Sequence, residues 1–288
     1  MKTLKIQLSL LVLATMVFTS CKKDSVTPSL SADALNASSA STLSEQTLAD
    51  LQTMGDEATG TSLKSISLLD SVIVPNRDRF KLNGDTTSIV IDFGTGTTCR
   101  DGKERKGKLT ITRTKSPSKD RDGVITTTTD GYEVNGNSVS LTKTVTGLGW
   151  ATDNTYPNGY LKFSVTVVNG TITRPNGDVV TVNVDHTRKL LSNAAKTGFI
   201  GWAISGTSSH NVILAANGKT LSVATHITID LLRPRKYHHF IAGQTVSEFL
   251  SGKIVTVDFG DGVLTDPSTW KTRQVTTSDD AEVTATQE

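Results

Sequence analysis

The chain has little cysteine, proline or aromatic character. Its 288 residues include two Cys, seven Pro, eight Phe, four Tyr and three Trp. With Cys21 and Cys99 as the only thiols, a disulfide-stapled scaffold and a zinc site built on cysteine pairs are excluded. An excess of either charge is missing too, since 30 Lys and Arg stand against 28 Asp and Glu. Loss of residues 1–20 would remove Lys2 and Lys5 and level the two counts. Nucleic-acid binders carry a basic surplus to neutralise phosphates, so that partner class is not expected. Beyond residue 20 no long apolar run occurs, and nothing there reads as a membrane-spanning helix. Gly-Xaa-Ser-Xaa-Gly, His-Glu-Xaa-Xaa-His and glycine-rich nucleotide loops are also absent, and no cofactor is expected.

What is present begins at the N-terminus. Lys2 and Lys5 precede an apolar stretch over Leu8–Phe18, and Thr19 and Ser20 then lead to Cys21. Basic start, short apolar run and small residues are the three regions of a secretory signal. A cysteine directly after the small residues is a lipid-attachment position, and multiple acyl chains anchor a protein stably. The expectation is therefore a signal peptide over 1–20 and a lipid on Cys21. The segment Ser20-Cys21-Lys22-Lys23-Asp24 resembles the cleavage region of Bacteroidota lipoproteins. That resemblance implies an outer-membrane, lipid-anchored location, with Lys and acid after the Cys resembling a surface-export signal.

Residues 21–79 lack aromatics and histidine, and nine of residues 21–45 are Ser or Thr. Such a stretch has too little apolar surface to offset its ordering entropy. It reads as a tether, carrying a short helix at about 43–58. Thr42-Leu43-Ser44-Glu45 has capping-box spacing, and Leu48, Leu51, Met54 and Ala58 follow at helical steps. Residues 80–277 read as the β domain and 278–288 as an acidic polar tail.

From about Asp85 the period becomes two. Ile89, Ile91 and Phe93 share one phase, as do Leu161, Phe163, Val165 and Val167, then Val180, Val182 and Val184. These are half-buried strands. Ten Asn-Gly or Asp-Gly pairs punctuate the chain, and such pairs tolerate the positive φ of hairpin turns. No long helical pattern separates the strands, which excludes a parallel sheet with helical crossovers. The expected fold is all-β: an antiparallel meander of ten to twelve strands, as a sandwich or an open barrel.

Two strands echo each other. Ile89-Val90-Ile91-Asp92-Phe93-Gly94 and Val255-Thr256-Val257-Asp258-Phe259-Gly260 both end in Asp-Phe-Gly-Xaa-Gly. Both phenylalanines should face the core of one sheet, and the two strands could pair to close it. With the Cys-Lys-Lys-Asp start and Gly107-Lys108-Leu109-Thr110-Ile111, these strands resemble a group of Bacteroidota envelope lipoproteins. That resemblance implies an envelope β protein and brings no activity with it.

Candidate sites follow from residue types and spacing. Arg100, Lys103, Arg105, Lys106 and Lys108 open a run in which residues 100–122 hold nine bases and four acids. It reads as a basic hairpin, either a solvated edge or a contact for an anionic glycan or partner. Asp258, Asp261 and Asp266 form a weak calcium alternative to plain turn acids. Asp-Phe-Gly lacks the other kinase motifs and reads as a strand end. His186 follows the phase of Val180–Val184 and reads as a packed strand-end residue. Ser205 with His210 is the nearest hydrolase pair, on spacing that many proteins show by chance. Asp24-Ser25-Val26 and Asp70-Ser71-Val72 resemble a Bacteroidota O-glycosylation pattern. Together these point to a lipid-anchored envelope protein presenting a binding or structural β module, with the membrane, and an envelope glycan or protein, as partners. The alternative is an extracytoplasmic hydrolase or carbohydrate-processing accessory built from distant loops.

Overall fold

A computed structural model describes residues 32–59, 77–79, 87–99, 101–115, 121–195, 198–234, 240–250, 252–261, 272–277 and 282–286. Among the described residues one helix, α1 (Ala32–Thr59), precedes fifteen strands. They are β1 (Arg77–Arg79), β2 (Thr87–Asp92), β3 (Thr97–Thr98), β4 (Glu104–Arg113), β5 (Val124–Val134), β6 (Asn137–Ser140), β7 (Thr142–Ala151) and β8 (Tyr160–Thr173). Then come β9 (Val179–Ser192), β10 (Phe199–Ile213), β11 (Thr220–Pro234), β12 (Ala242–Phe249), β13 (Ile254–Asp261), β14 (Thr272–Thr277) and β15 (Glu282–Thr286). Twelve have five residues or more, and three are shorter. All belong to one antiparallel sheet, ordered β1-β2-β4-β5-β6-β8 and then consecutively to β15, with β3 on β4 and β7 bridging β5 and β8.

The all-β antiparallel meander is therefore present, as one open sheet and not as two stacked ones. Its curl follows from α1. From Ala40 to Gly55 no residue of the helix is exposed, so the helix is covered on every side. Its side chains reach β4, β5, β7, β9, β10 and β11. On a flat sheet β4 and β11 would stand about 29 Å apart at ~4.8 Å per strand, several helix diameters. Only a sheet curled around the helix brings both into contact with it. Leu48, Leu51 and Met54 join Ile89, Ile91, Leu109, Ile111, Val165 and Val182 in one core.

Four sequence expectations change. The helix is already formed at Ala32, so Thr42 lies in its interior and not at its cap. Ser44 and Thr53 hydroxyls bond the carbonyls of Ala40 and Ala49, which satisfies polar side chains inside a helix. Strand content extends past 80–277 at both ends, through β1 and through β15 in the acidic tail. Asp130-Gly131 and Asn169-Gly170 are not hairpin turns; each lies within a long strand at a register shift. At the first, Gly107 (φ +72°) lies so close to Gly131 that an added Cβ would stand 2.1 Å from its carbonyl oxygen. Finally, the echoed strands β2 and β13 share the sheet but are not neighbours, so they do not close it.

The echo has a local explanation. Phe93 and Phe259 are both buried, the first against Tyr132 and the second edge-on to Phe240. Asp92 Oδ1 accepts the Gly94 N–H at 2.8 Å, and Asp258 Oδ1 accepts the Gly260 N–H at 2.8 Å. In both copies the aspartate makes an Asx turn with the glycine two residues on while the phenylalanine faces inward; the turn ends β2 at Asp92, whereas β13 continues to Asp261, so Asp258-Phe259-Gly260 is not a strand end.

Candidate functional site

The inward phase of the sheet carries charge. Arg105 on β4, Lys143 on β7, His186 and Arg188 on β9, and His210 on β10 are all buried. Each stands in the same alternation as apolar neighbours: Lys143 with Val145, and His186 and Arg188 between Val184 and Leu190. Opposite them α1 presents Ser41, Ser44, Glu45, Asp50 and Gln52, also buried. The helix–sheet seam is thus a polar layer inside a β fold, and buried polar groups need partners.

At one side the layer is an ionic cluster around Arg105, whose Nε is buried without a hydrogen bond. Arg105 Nη2 donates to Asp50 Oδ1 and to Asp101 Oδ2, both at 2.6 Å, and Nη1 donates to Asp101 Oδ1 at 2.8 Å. Lys103 Nζ reaches Asp50 Oδ1 at 3.1 Å, and the Tyr132 hydroxyl donates to Asp50 Oδ2 at 3.3 Å. Burial works against the Arg105 charge, but the two carboxylates outweigh it and raise its pKa. Burial also pushes the Asp101 carboxyl upward, and the Arg105 hydrogen bond and charge bring it below its ordinary value.

At the other side the seam encloses a half-open cavity of about 30 Å³ between α1 and β7–β11. Its charged lining is Lys143, Arg188, Arg233 and Glu45, with Gln52 and His186. Lys143 Nζ donates to Gln52 Oε1. The Arg188 guanidinium lies on the Trp202 ring, 3.3 Å from Cζ to the ring centroid. His186 Nε2 is buried without a hydrogen-bond partner, 3.6 Å from Glu45 Oε1. Deeper in, His210 has neither ring nitrogen hydrogen-bonded, and burial together with the nearby His186 pulls its pKa down to about 4. It is neutral at physiological pH.

The sequence-derived candidates distribute as follows. Of the basic hairpin, Arg105 is a core residue, Lys103 pairs with Asp50, Lys106 with Glu133 (3.1 Å) and Lys108 with Asp92 (3.3 Å). These four are tied to acids within the fold and do not form a shared outward patch. Asp258 lies on β13 with its Oδ1 taking the Gly260 N–H, and the placement of the Asp261 side chain lies outside the described residues. Among the described residues no three His, Cys, Asp or Glu gather as a metal site. Ser205 and His210, five apart on β10, also point to opposite faces, which breaks the hydrolase pair. Ser208, Glu45 and His186 do meet, but the acid stands between serine and histidine, where a triad needs the histidine. His186 is in mid-strand, not at a strand end. Cys99 is buried. Cys21, Arg100, Asp266, His238, His239 and both O-glycosylation-like segments lie outside the described residues.

A second polar cluster holds the β7–β8 loop to the convex face. Lys189 Nζ contacts Asp230 (2.9 Å) and Asp153 (3.6 Å), with Tyr156 and Tyr160 donating to the same two acids. Its donors and acceptors answer one another, and it reads as a structural clamp. No helix among the described residues is long and apolar enough to cross a membrane. Comparison with protein-family models, curated proteins and solved structures finds no match.

Proposed function

We propose that the protein is a lipid-anchored component of the bacterial outer membrane whose β module is a binding module. Its site is the cavity between α1 and β7–β11. The anchoring part rests on the Leu8–Phe18 run ending at Ser20-Cys21. The binding part rests on one observation: cationic side chains from three different strands converge with an unpartnered buried histidine nitrogen on a cavity open to solvent. Convergent polar groups in a concave, partly apolar site are the usual mark of ligand recognition.

Two results check this reading. Cys21→Ala is expected to leave an unprocessed precursor or release the protein from the membrane fraction; normal maturation with retention in the detergent phase overturns the anchoring. Native mass spectrometry of the protein purified from envelopes is expected to show a small-molecule adduct. Ala49→Leu, which fills the cavity from the helix side, is expected to abolish it. Wild type without an adduct, or an adduct that Ala49→Leu retains, overturns the site.

A further inference from the structure

Where α1 leaves the sheet decides which end of the molecule faces the membrane, given the lipid on Cys21 proposed above. Followed toward its N-terminus, the helix meets Ser208 through Glu45, Thr225 through Ser41, and Arg174 through Ser39, the last at 3.1 Å. Arg174 follows β8 directly, at the start of the turn into β9. Ala40 is buried and Ser39 is exposed, so the helix emerges from the sheet beside this turn. Ala32 lies seven residues earlier, about 10 Å further along a helix at ~1.5 Å per residue. Eleven residues then separate Ala32 from Cys21, and a chain of that length spans at most about 36–40 Å. The lipid therefore keeps this end of the sheet close to the bilayer.

Three turns build that end. Asp178 Oδ1, from the β8–β9 turn, accepts the Ala215 N–H of the β10–β11 turn at 2.9 Å. The Leu250 N–H, from the β12–β13 turn, donates to the Ser222 carbonyl near the start of β11 at 3.4 Å. The turns are thus contiguous, and they carry large aliphatic side chains in water. Leu250 is 88% exposed, Ile213 at the end of β10 is 44% exposed, and Ile254 at the start of β13 is 40% exposed. Single exposed apolar residues are ordinary, but a group of them at one place marks a contact surface. Lys219 and Lys253 belong to the same turns. Their long stems let the ammonium groups stay at headgroup level while apolar neighbours go deeper.

We infer that this end of the sheet rests on the bilayer, with Leu250 inserted at the boundary of headgroups and acyl chains and Ile213 and Ile254 beside it. The occupant is a lipid surface and not a second copy of the chain, because the anchor brings that surface to these turns whatever the protein concentration. Ile200, also exposed, lies thirteen residues from Ile213 on β10. At ~3.3 Å per residue that is roughly 43 Å along the strand, and it places Ile200 at the end away from the membrane. The lipid and the turns together make two points of attachment, which fix the orientation of the sheet on the surface where a single tether leaves it free.

The test uses the lipidated mature protein in phosphatidylethanolamine–phosphatidylglycerol vesicles, with an environment-sensitive NBD label on Leu250→Cys, Ile254→Cys or Ile200→Cys. Cys99 is buried and Cys21 is acylated, so the label goes to the introduced thiol. All three positions are exposed, which leaves the core unchanged in each variant. The probes at 250 and 254 are expected to shift their emission to shorter wavelength on reconstitution and to lose it when spin-labelled lipid is included. The probe at 200 is expected to do neither. A probe at 250 that is quenched no more than the one at 200, in protein whose intact mass carries the acyl chains, overturns the docking and leaves the anchor standing. A blue shift that spin-labelled lipid does not quench puts protein, not bilayer, on Leu250 and also overturns the docking. A mature chain without the acyl mass overturns the anchor and the docking with it.

Discussion

Arg105→Met is expected to destabilise the protein by about 3–5 kcal/mol, the cost of removing one partner from a buried ion pair and stranding the other. The guanidinium is wholly buried and contacts Asp50 and Asp101, whose side chains are 7% and 11% exposed. Without it, two carboxylates face each other with only Lys103 and the Tyr132 hydroxyl in reach of Asp50. Urea unfolding followed by circular dichroism checks this. The double variant Arg105→Met, Asp50→Leu is expected to recover much of the loss, because replacing a buried pair by apolar groups is often neutral. If the single variant costs under about 1 kcal/mol, the cluster is solvated in solution. The acid side has a defined sign. The Asp101 pKa is depressed in the fold, so its contribution is present above the ordinary carboxylate pKa of ~3.9 and disappears as pH falls through the lower folded value. Arg105→Met should flatten that part of the pH–stability curve.

Phe93→Ala and Phe259→Ala are each expected to cost about 3–5 kcal/mol, the range for emptying a buried aromatic site. Phe93 is 2% exposed and Phe259 6%. The corresponding aspartate changes lose one side-chain hydrogen bond to a glycine N–H and should cost about 0.5–1.5 kcal/mol each. Thermal unfolding separates the two classes, since 3–5 kcal/mol lowers Tm by roughly 6–20 °C for a domain of this size. Because the two phenylalanines belong to different apolar clusters, the double variant should be close to additive. Aspartate variants as damaging as the phenylalanine ones would mean that Asp-Phe-Gly does more than form a local Asx turn.

The strands were legible because their signals are local: period-two alternation and Asn-Gly or Asp-Gly punctuation. Where those signals failed, a longer-range cause is visible. Asp130-Gly131 looks like a turn, but it is placed in mid-strand by Gly107 across the β4–β5 pair. The Ser-rich beginning of α1 has weak helix propensity, and its state is decided by the sheet that encloses it. The site left a trace that charge counting obscured. Arg105 shares the odd phase of Leu109 and Ile111, and Arg188 falls between Val184 and Leu190 in the even phase. A basic residue in the core phase of a strand is the pattern that marks this seam. Grouping Arg105 with its outward neighbours as one basic run hid it. Which strands then meet across the cavity depends on the curl of the sheet, and no local pattern encodes that.

The enclosed helix also constrains the order of events as the chain matures. Ser41 contacts Thr225 across 184 residues, and Glu45 contacts Ser208 across 163. The segment synthesised near the start therefore waits for strands made near the end, and such non-local closure places folding in the slow range, milliseconds to seconds. Until β11 has formed, the inward charges and apolar residues of the earlier strands stay open to water and to other chains. A chain in that condition is most exposed to proteases and to aggregation just before α1 docks, which makes helix docking the step on which its yield depends.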